Sequence, residues 1–220
     1  MPQLIFNWQA QPSYAPEDFI ISDANAEAVN FIDSWPSANS AGSKIAILTG
    51  PEASGKTHLC YRWLARVKGV ILDESAIGTA PSEKIWPNKA SAVLENIQHI
   101  KDESALFHLL RHAETSGASL LLTSTLPAKE LAFALPDLRS RLLALPTAHI
   151  NPPDELLLRV FLSKGFTDRQ LRVNDEILDY IIKRIERSFA AARDITEKIE
   201  RVSLENKREI TIPFIKKLLD

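Results

Sequence analysis

The stretch Lys44–Val67, "KIAILTGPEASGKTHLCYRWLARV", decides the fold of this chain. It opens with a β-branched and aliphatic run that ends at Gly50, which is typical of a buried parallel strand. After the glycine loop, apolar residues recur at helical spacing: Leu59, Cys60, Trp63, Leu64 and Val67. A strand, the pattern G-x-x-x-x-G-K-T and a helix, in this order, predict a phosphate-binding loop.

The chemistry of this loop predicts a bound nucleotide, ADP or ATP, with Mg²⁺. Backbone N–H groups of the loop can point at phosphates, and the helix N-terminus favours the same negative charge. Lys56 is expected to reach the β- and γ-phosphates, and the Thr57 hydroxyl to bind magnesium. The residues expected to hold the nucleotide are Gly50, Pro51, Glu52, Ala53, Ser54, Gly55, Lys56, Thr57 and His58.

The rest of the chain predicts an α/β domain followed by a helical one. Further strands are expected at 69–74, 91–96, 119–125 and 147–150. They alternate with helical stretches, so residues 13–151 are predicted to form a parallel sheet wrapped by helices. From 152 to 220 only helices are expected, and the first should end at Gly165. Asn174 and Thr211 are expected to cap later helices of this small lid domain.

A P-loop domain also needs an acidic strand end for magnesium, and Glu95 is the favoured candidate. Asp73 and Glu74, after the preceding strand, compete for this role. Asn96 occupies the position that usually activates the attacking water, and an amide cannot accept its proton. Loss of a general base typically lowers the rate about 10²–10⁴-fold.

Two polar residues lie beyond the next strand. Thr125 can meet the γ-phosphate or the lytic water, although it can equally cap a turn before Pro127. Arg139 and Arg141 lie among leucines in "LPDLRSRLL" (135–143). Such an arginine at a domain edge can reach a neighbouring subunit's nucleotide, or it can be a solvated surface residue.

Composition narrows the class of protein. The 220 residues carry a net charge of −2, from 26 basic and 28 acidic side chains, so there is no overall basic footprint for nucleic acid. Cys60 is the only cysteine, which excludes an intramolecular disulfide. The first residues lack the pattern of a signal peptide, and no apolar run reaches transmembrane length. We expect a cytoplasmic protein without a membrane partner.

Several segments resemble the DnaA replication-initiator family of AAA+ ATPases. "DFIISDANAEAV" (18–29) is similar to its N-terminal box, which implies that Phe19, Ile20 and Ile21 contact adenine. "AVLENIQHI" resembles its Walker B segment, with Glu95 where the family usually has Asp. "LPDLRSRL" resembles its arginine-finger box and implies that Arg141 acts in trans. "ENKREITIPFIKKLLD" is similar to the C-terminal end of the Hda subfamily of regulators.

The resemblance does not decide which arginine of the lid contacts the nucleotide. A gapless match places Ala190 where the family has its nucleotide-contacting lid arginine. Arg193, one turn later, is the candidate replacement, and Arg187 is the alternative.

The resemblance also assigns a role to residues 1–12. "QLIFNW" is similar to the clamp-binding motif of the Hda subfamily, which implies that Gln3, Leu4, Phe6 and Trp8 bind the β subunit of DNA polymerase III, the sliding clamp. Alternatively, this segment folds back onto its own core. No helix-turn-helix is expected after the lid, so DNA contact is expected through the clamp.

Together these features predict an activator of a partner ATPase with weak hydrolysis of its own. The implied partner is DnaA, whose ATP hydrolysis the chain would stimulate, and a homodimer is left open. The alternatives are a self-contained AAA+ ATPase or helicase-loader-like motor, and a non-catalytic DnaA-family adaptor.

Overall fold

A computed structural model describes residues 14, 19–36, 43–86, 90–206 and 209–219. These residues form five strands: β1 Ile45–Thr49, β2 Val70–Leu72, β3 Ala92–Leu94, β4 Leu120–Ser124 and β5 Thr147–His149. They also form nine α-helices: α1 Ala26–Ser34, α2 Lys56–Val67, α3 Ser82–Ile85, α4 Glu103–Ser116, α5 Pro136–Ala144, α6 Glu155–Asp168, α7 Asp175–Ile182, α8 Phe189–Asn206 and α9 Ile212–Leu219. The predicted order of an α/β domain and a helical domain is confirmed.

The strands form one parallel sheet in the order β2-β3-β4-β1-β5. β1 is buried along its whole length because it lies between β4 and β5. Thr49, its last residue, is in register with Ser124 and His149, so the carboxyl ends of three strands meet at one edge. Ligands of open parallel sheets bind at this edge.

Alternation of side chains along β1 divides the core into two layers. Ala46 and Leu48 pack with α1 and α2 on one face. Ile45 and Ile47 pack with α4 and α5 on the other. Side chains of α2 and α5 therefore lie on opposite faces of the sheet.

The run predicted as strand 69–74 gives only a three-residue strand, β2. Val70 and Ile71 are 43% and 41% exposed, although their composition is that of a buried strand. The reason is position, since β2 is the edge strand of the described sheet.

The four last helices enclose a separate apolar core that includes Leu158, Leu162, Ile181 and Ile199. Asn174 caps α7, with its side chain accepting a hydrogen bond from Ile177 N at 3.0 Å. The predicted stop at Gly165 is wrong, because α6 continues to Asp168. A Cβ at Gly165 would lie 3.4 Å from Cγ2 of Thr196, an ordinary contact distance, so this position of α6 faces α8 without requiring a glycine.

Candidate functional site

The glycine loop leaves β1 at Gly50 and enters α2 at Lys56. A Cβ on Gly50 would lie 2.8 Å from the Ile150 Cβ, and one on Gly55 would lie 2.6 Å from Cε2 of Phe19. Gly55 also has a φ of 89°, and Ala53, between the two glycines, has a φ of 59°. The loop therefore has the tight, left-handed conformation in which backbone N–H groups point into its concave side.

Lys56 extends back across this loop. Its ammonium donates hydrogen bonds to the carbonyl oxygens of Gly50 and Pro51, each at 2.8 Å. The residue is 8% exposed, and burial lowers the pKa of Lys56. Burial disfavours the charged form of this lysine. A nearby anion, such as a phosphate, would stabilise the charge.

The interior of the loop also contains an unsatisfied polar atom. Ser54 is 5% exposed, and its Oγ has no hydrogen-bond partner among the described residues. A buried hydroxyl without a partner is costly, and a phosphate oxygen is one group that satisfies it. The glycines, Lys56 and Ser54 together fit a phosphate group.

The two predicted magnesium ligands meet in the structure. Thr57, in the first turn of α2, donates its hydroxyl to Oε1 of Glu95 at 2.7 Å. Glu95 directly follows β3. A hydroxyl and a carboxylate are hard oxygen ligands of the kind that Mg²⁺ binds, so the pair fits this ion.

The competing acids lie elsewhere. Asp73 accepts hydrogen bonds from Ser75 N at 2.9 Å and Ser75 Oγ at 2.7 Å, and these bonds lower the pKa of Asp73. Asp73 and Glu74 are exposed after β2, at the edge of the described sheet. The geometry therefore favours Glu95.

Asn96 and Thr125 follow two neighbouring strands, β3 and β4. Asn96 has a φ of 56°, and its N–H donates to Oγ1 of buried Thr123 at 3.0 Å. Thr125 N donates to Oε1 of Gln98 at 3.4 Å. The Ser124 hydroxyl, not that of Thr125, accepts a hydrogen bond from Leu126 N, at 2.9 Å, so Thr125 does not cap this turn.

The segment preceding α1 lies against the loop. The Phe19 ring lies at Gly55 and 5.0 Å from the His58 ring. Ile20 packs with Ala53 and with Leu157 and Phe189 of the lid, whereas Ile21 is 56% exposed. Of the three predicted adenine contacts, Phe19 and Ile20 therefore lie beside the loop and lid, and Ile21 faces solvent.

The lid reaches the glycine loop through Arg193. Its Nη2 lies 3.0 Å from Oε1 of Glu52 and 2.9 Å from Oδ1 of Asp194. The hydrogen bond to Glu52 raises the pKa of Arg193. Arg187 pairs instead with Glu155 of α6, at 3.2 Å, so Arg193 is the lid arginine that the fold brings to the loop.

Arg141 lies on α5, on the other face of the sheet from α2. Its Nη1 is 2.6 and 2.7 Å from the two carboxylate oxygens of Glu114, and its guanidinium lies 5.0 Å above the Phe107 ring. Its side chain remains 35% exposed. It is therefore remote from the chain's own loop and accessible to another molecule.

The lid gives the most specific likeness to known proteins. Residues 158–219 match the family model "Hda, lid domain". By this match, the C-terminal helices form an Hda-type lid.

Other comparisons extend over most of the chain. The chain is 29% identical to an uncharacterized protein of Haemophilus influenzae over 188 residues, which are 78% of this chain and 79% of the relative. Domain III of Thermotoga maritima DnaA superposes with a TM-score of 0.75 at 18% identity, covering 95% and 96% of the two chains. AMPPCP-bound DnaA from Aquifex aeolicus gives a TM-score of 0.68 at 18% identity, covering 89% of this chain and 67% of that one. The chain therefore combines an Hda-type lid with the overall fold of DnaA domain III.

Sequence reasoning missed two contributors to this candidate site. Asn25, 3% exposed, donates to the Ile20 carbonyl oxygen at 2.8 Å and accepts from Ser22 N at 2.9 Å. Gln98 connects the turn after β3 to the end of β4. An asparagine before a helix predicts a cap, but the Asn25 side chain makes no cap bond to α1 and instead fixes the preceding segment. No local pattern marks Gln98.

The predicted clamp-binding residues Gln3, Leu4, Phe6 and Trp8 lie outside the described residues. None of the helices that the structure describes combines the length and apolar character needed to span a bilayer.

Proposed function

We propose that this chain is a nucleotide-binding regulator that docks on the DNA-loaded sliding clamp and stimulates ATP hydrolysis by DnaA. Conversion of DnaA-ATP to DnaA-ADP would suppress re-initiation of replication. The observation that carries the proposal is the Thr57–Glu95 pair beside the glycine loop, followed directly by an asparagine. This arrangement suits holding a nucleotide better than hydrolysing it.

The glycine loop, Lys56 and Ser54 would hold the phosphates, and Thr57 and Glu95 would hold Mg²⁺. The metal would neutralise phosphate charge when bound. Phe19 and Ile20 would contact the base beside the lid. The nucleotide bound in the related DnaA structure, AMPPCP, supports this assignment.

Asn96 limits hydrolysis at this site. Its carboxamide can orient water through hydrogen bonds but cannot take its proton. Thr125, at the end of the adjacent strand, is a second polar group for this water or the γ-phosphate. We therefore propose slow intrinsic turnover and a bound nucleotide that stabilises the arrangement of lid and α/β domain.

Arg141 would stimulate hydrolysis in trans, at the ATP site of the partner. Its pair with Glu114 is solvent-exposed, and exposed pairs contribute only about 0–1 kcal/mol. The phosphates of a partner's nucleotide can therefore compete for this guanidinium. An arginine that reaches the transition state of phosphoryl transfer accelerates it by about 10³–10⁵.

Residues 1–12 supply the docking step. Leu4, Phe6 and Trp8 place three large apolar side chains within five positions of the chain, as a short motif that inserts into an apolar groove requires. Contact with DNA is proposed to be indirect, through the clamp, and the site of action is the cytoplasm.

The test is phosphate release from DnaA-ATP in the presence of DNA-loaded clamp. The chain should stimulate release, and the double change Gln3→Ala with Leu4→Ala should remove most of the stimulation. Gln11→Ala is the matched control and should behave as the unmodified chain. Absence of stimulation, together with appreciable ATP turnover by the chain alone, would favour the motor and contradict the proposal.

A further inference from the structure

One face of α4 lies against α5 and the segment before it. Glu103, Phe107 and Glu114 are four and seven positions apart, a spacing that places side chains on the same face of a helix. Glu103 bonds the backbone before α5, whereas Phe107 and Glu114 contact Arg141. The helix α4 therefore determines where the arginine that is proposed to act in trans is held.

The backbone of α5 is anchored to α4 and to the core of the α/β domain. The two carboxylate oxygens of Glu103 accept hydrogen bonds from Ala134 N at 2.8 Å and Leu135 N at 2.6 Å. Farther along, Leu138 and Leu142 are 0% and 1% exposed in the core. Arg141 can therefore reach another molecule by rotation of its side chain, without displacement of the helix.

The side chain of Arg141 is held by two groups that attract a guanidinium. Its Nη1 lies 2.6 and 2.7 Å from the two carboxylate oxygens of Glu114, and its Cζ lies 5.0 Å from the centroid of the Phe107 ring. A carboxylate offers a guanidinium negatively charged oxygens, as a phosphate does, and an aromatic face attracts the same cation. Glu114 thus satisfies Arg141 with the chemistry expected of a partner's nucleotide.

The contact with Glu114 has to break before Arg141 can act on another molecule. While Nη1 is bonded to the carboxylate, its hydrogen bonds are not available to a phosphate. The arginine and glutamate side chains are 35% and 49% exposed, so a partner can approach the pair. A carboxylate carries one negative charge, whereas a nucleoside triphosphate carries several and attracts the cation more strongly. A polyphosphate can therefore displace Glu114 better than a second carboxylate can.

We propose that Glu114 is a positioning residue that withholds Arg141 in an autoinhibitory contact, supported by Phe107, until the phosphates of a partner's nucleoside triphosphate displace the carboxylate. This inference rests on the proposed action of Arg141 in trans. It deepens that proposal by naming the group of the same chain that restrains the arginine. Glu114 lowers the maximal rate of hydrolysis by the partner, because the pair must be broken for Arg141 to reach the transition state.

Phosphate release from DnaA-ATP on DNA-loaded clamp, measured as the full chain is titrated, tests this role. Glu114→Gln keeps the size of the side chain and removes its charge. It should raise the maximal rate of release by about two- to fivefold, the range that exposed ion pairs cover. The half-saturating concentration of the chain should stay within about twofold, because an interaction that changes only in the transition state alters the rate and not the binding.

Two further variants check that the gain has this origin. Glu114→Gln combined with Arg141→Ala should lose the gain, because the gain acts through the arginine. Glu83→Gln removes the same charge from an exposed residue of α3 and should behave as the unmodified chain. Melting temperatures check that every variant is folded.

The outcomes separate this inference from the proposed function. A higher maximal rate with Glu114→Gln that disappears with Arg141→Ala would support the autoinhibitory contact. If the unmodified chain stimulates DnaA and Glu114→Gln stimulates it equally or less, only the role of Glu114 is overturned. A gain that persists without Arg141 would overturn that role as well. If neither the unmodified chain nor Glu114→Gln stimulates release, the proposed function fails and the inference fails with it.

Discussion

At the scale of single residues, Lys56 shows how the loop places a charge for its ligand. Its ammonium is buried against two carbonyl oxygens, and desolvation lowers its pKa. Charged Lys56 therefore lowers the stability of the ligand-free chain at neutral pH. This cost decreases as pH rises through the lowered pKa toward the ordinary value of 10.5.

Lys56→Met should separate ligand binding from stability. Affinity for ADP should fall by at least about 100-fold, since a charge-assisted contact to phosphate is lost. The free energy of unfolding of the ligand-free chain should change by less than about 1 kcal/mol, because the lost hydrogen bonds are offset by relief of burial of the charge. Nucleotide titration and denaturant unfolding at pH 7 measure the two effects. A large loss of stability with normal ADP affinity would contradict this view of Lys56.

Some residue roles could be read from the sequence and others could not. Thr57 and Glu95 were predictable because one follows the loop lysine and the other ends a strand, and strand order brings such positions together. Glu52 and Arg193 are 141 positions apart, so only packing of the lid determines their contact. The pair of Glu114 and Arg141 likewise depends on how α4 packs with α5, and the pattern alone left Arg141 as either a finger or a surface residue.

At the scale of elements, an ion pair connects α1 to α2. Arg62 donates from Nε and Nη2 to the two Asp33 oxygens at 2.7 and 2.6 Å. The hydrogen bond from Arg62 lowers the pKa of Asp33 below its ordinary 3.8. A carboxyl with a lowered pKa stabilises the fold above its unfolded-state value, and this contribution is lost as pH falls through the folded-state value.

Asp33→Asn should therefore have a pH-dependent effect. At pH 7 it should cost about 0.5–1 kcal/mol, a modest value because the pair is partly exposed and screened. As pH falls below the ordinary pKa of 3.8, the difference from the unmodified chain should shrink. Urea unfolding across this range measures it, and a difference that stays constant would show that Asp33 acts through packing instead.

The sequence predicted the type of each secondary-structure element better than its length. The strand positions were right because runs such as "SLLLTST" leave no helical alternative of sufficient length. Gly165 was misread because a glycine weakens an isolated helix, whereas here packing of α6 in the lid core carries the helix on to Asp168. The exposure of β2 could not be predicted either, because the composition of this strand does not indicate that it lies at the edge of the described sheet.

At the scale of the whole molecule, the lid and the glycine loop share a small apolar cluster. Ala24 and Ile20 from the N-terminal segment and Ala53 from the loop pack with Leu157 and Phe189 of the lid. Because Ala53 is part of the phosphate loop, the position of the lid depends on the loop conformation. A bound nucleotide would stabilise this arrangement of the two domains.

The same arrangement separates the nucleotide site from Arg141. The loop leads into α2 on one face of the sheet, whereas Arg141 packs with α4 on the other. One molecule can therefore hold its own nucleotide and present an arginine to another at the same time. This separation is the structural basis for proposing action in trans.

The measurement that tests this claim most directly is DnaA-ATP hydrolysis on DNA-loaded clamp with Arg141→Ala and Arg139→Ala compared side by side. Both variants remove a guanidinium from α5, and melting temperatures check that both remain folded. Arg141→Ala should lose nearly all stimulation, consistent with a finger contribution of about 10³–10⁵, while Arg139→Ala should keep it. Full stimulation by Arg141→Ala would show that this arginine does not act on the partner's nucleotide.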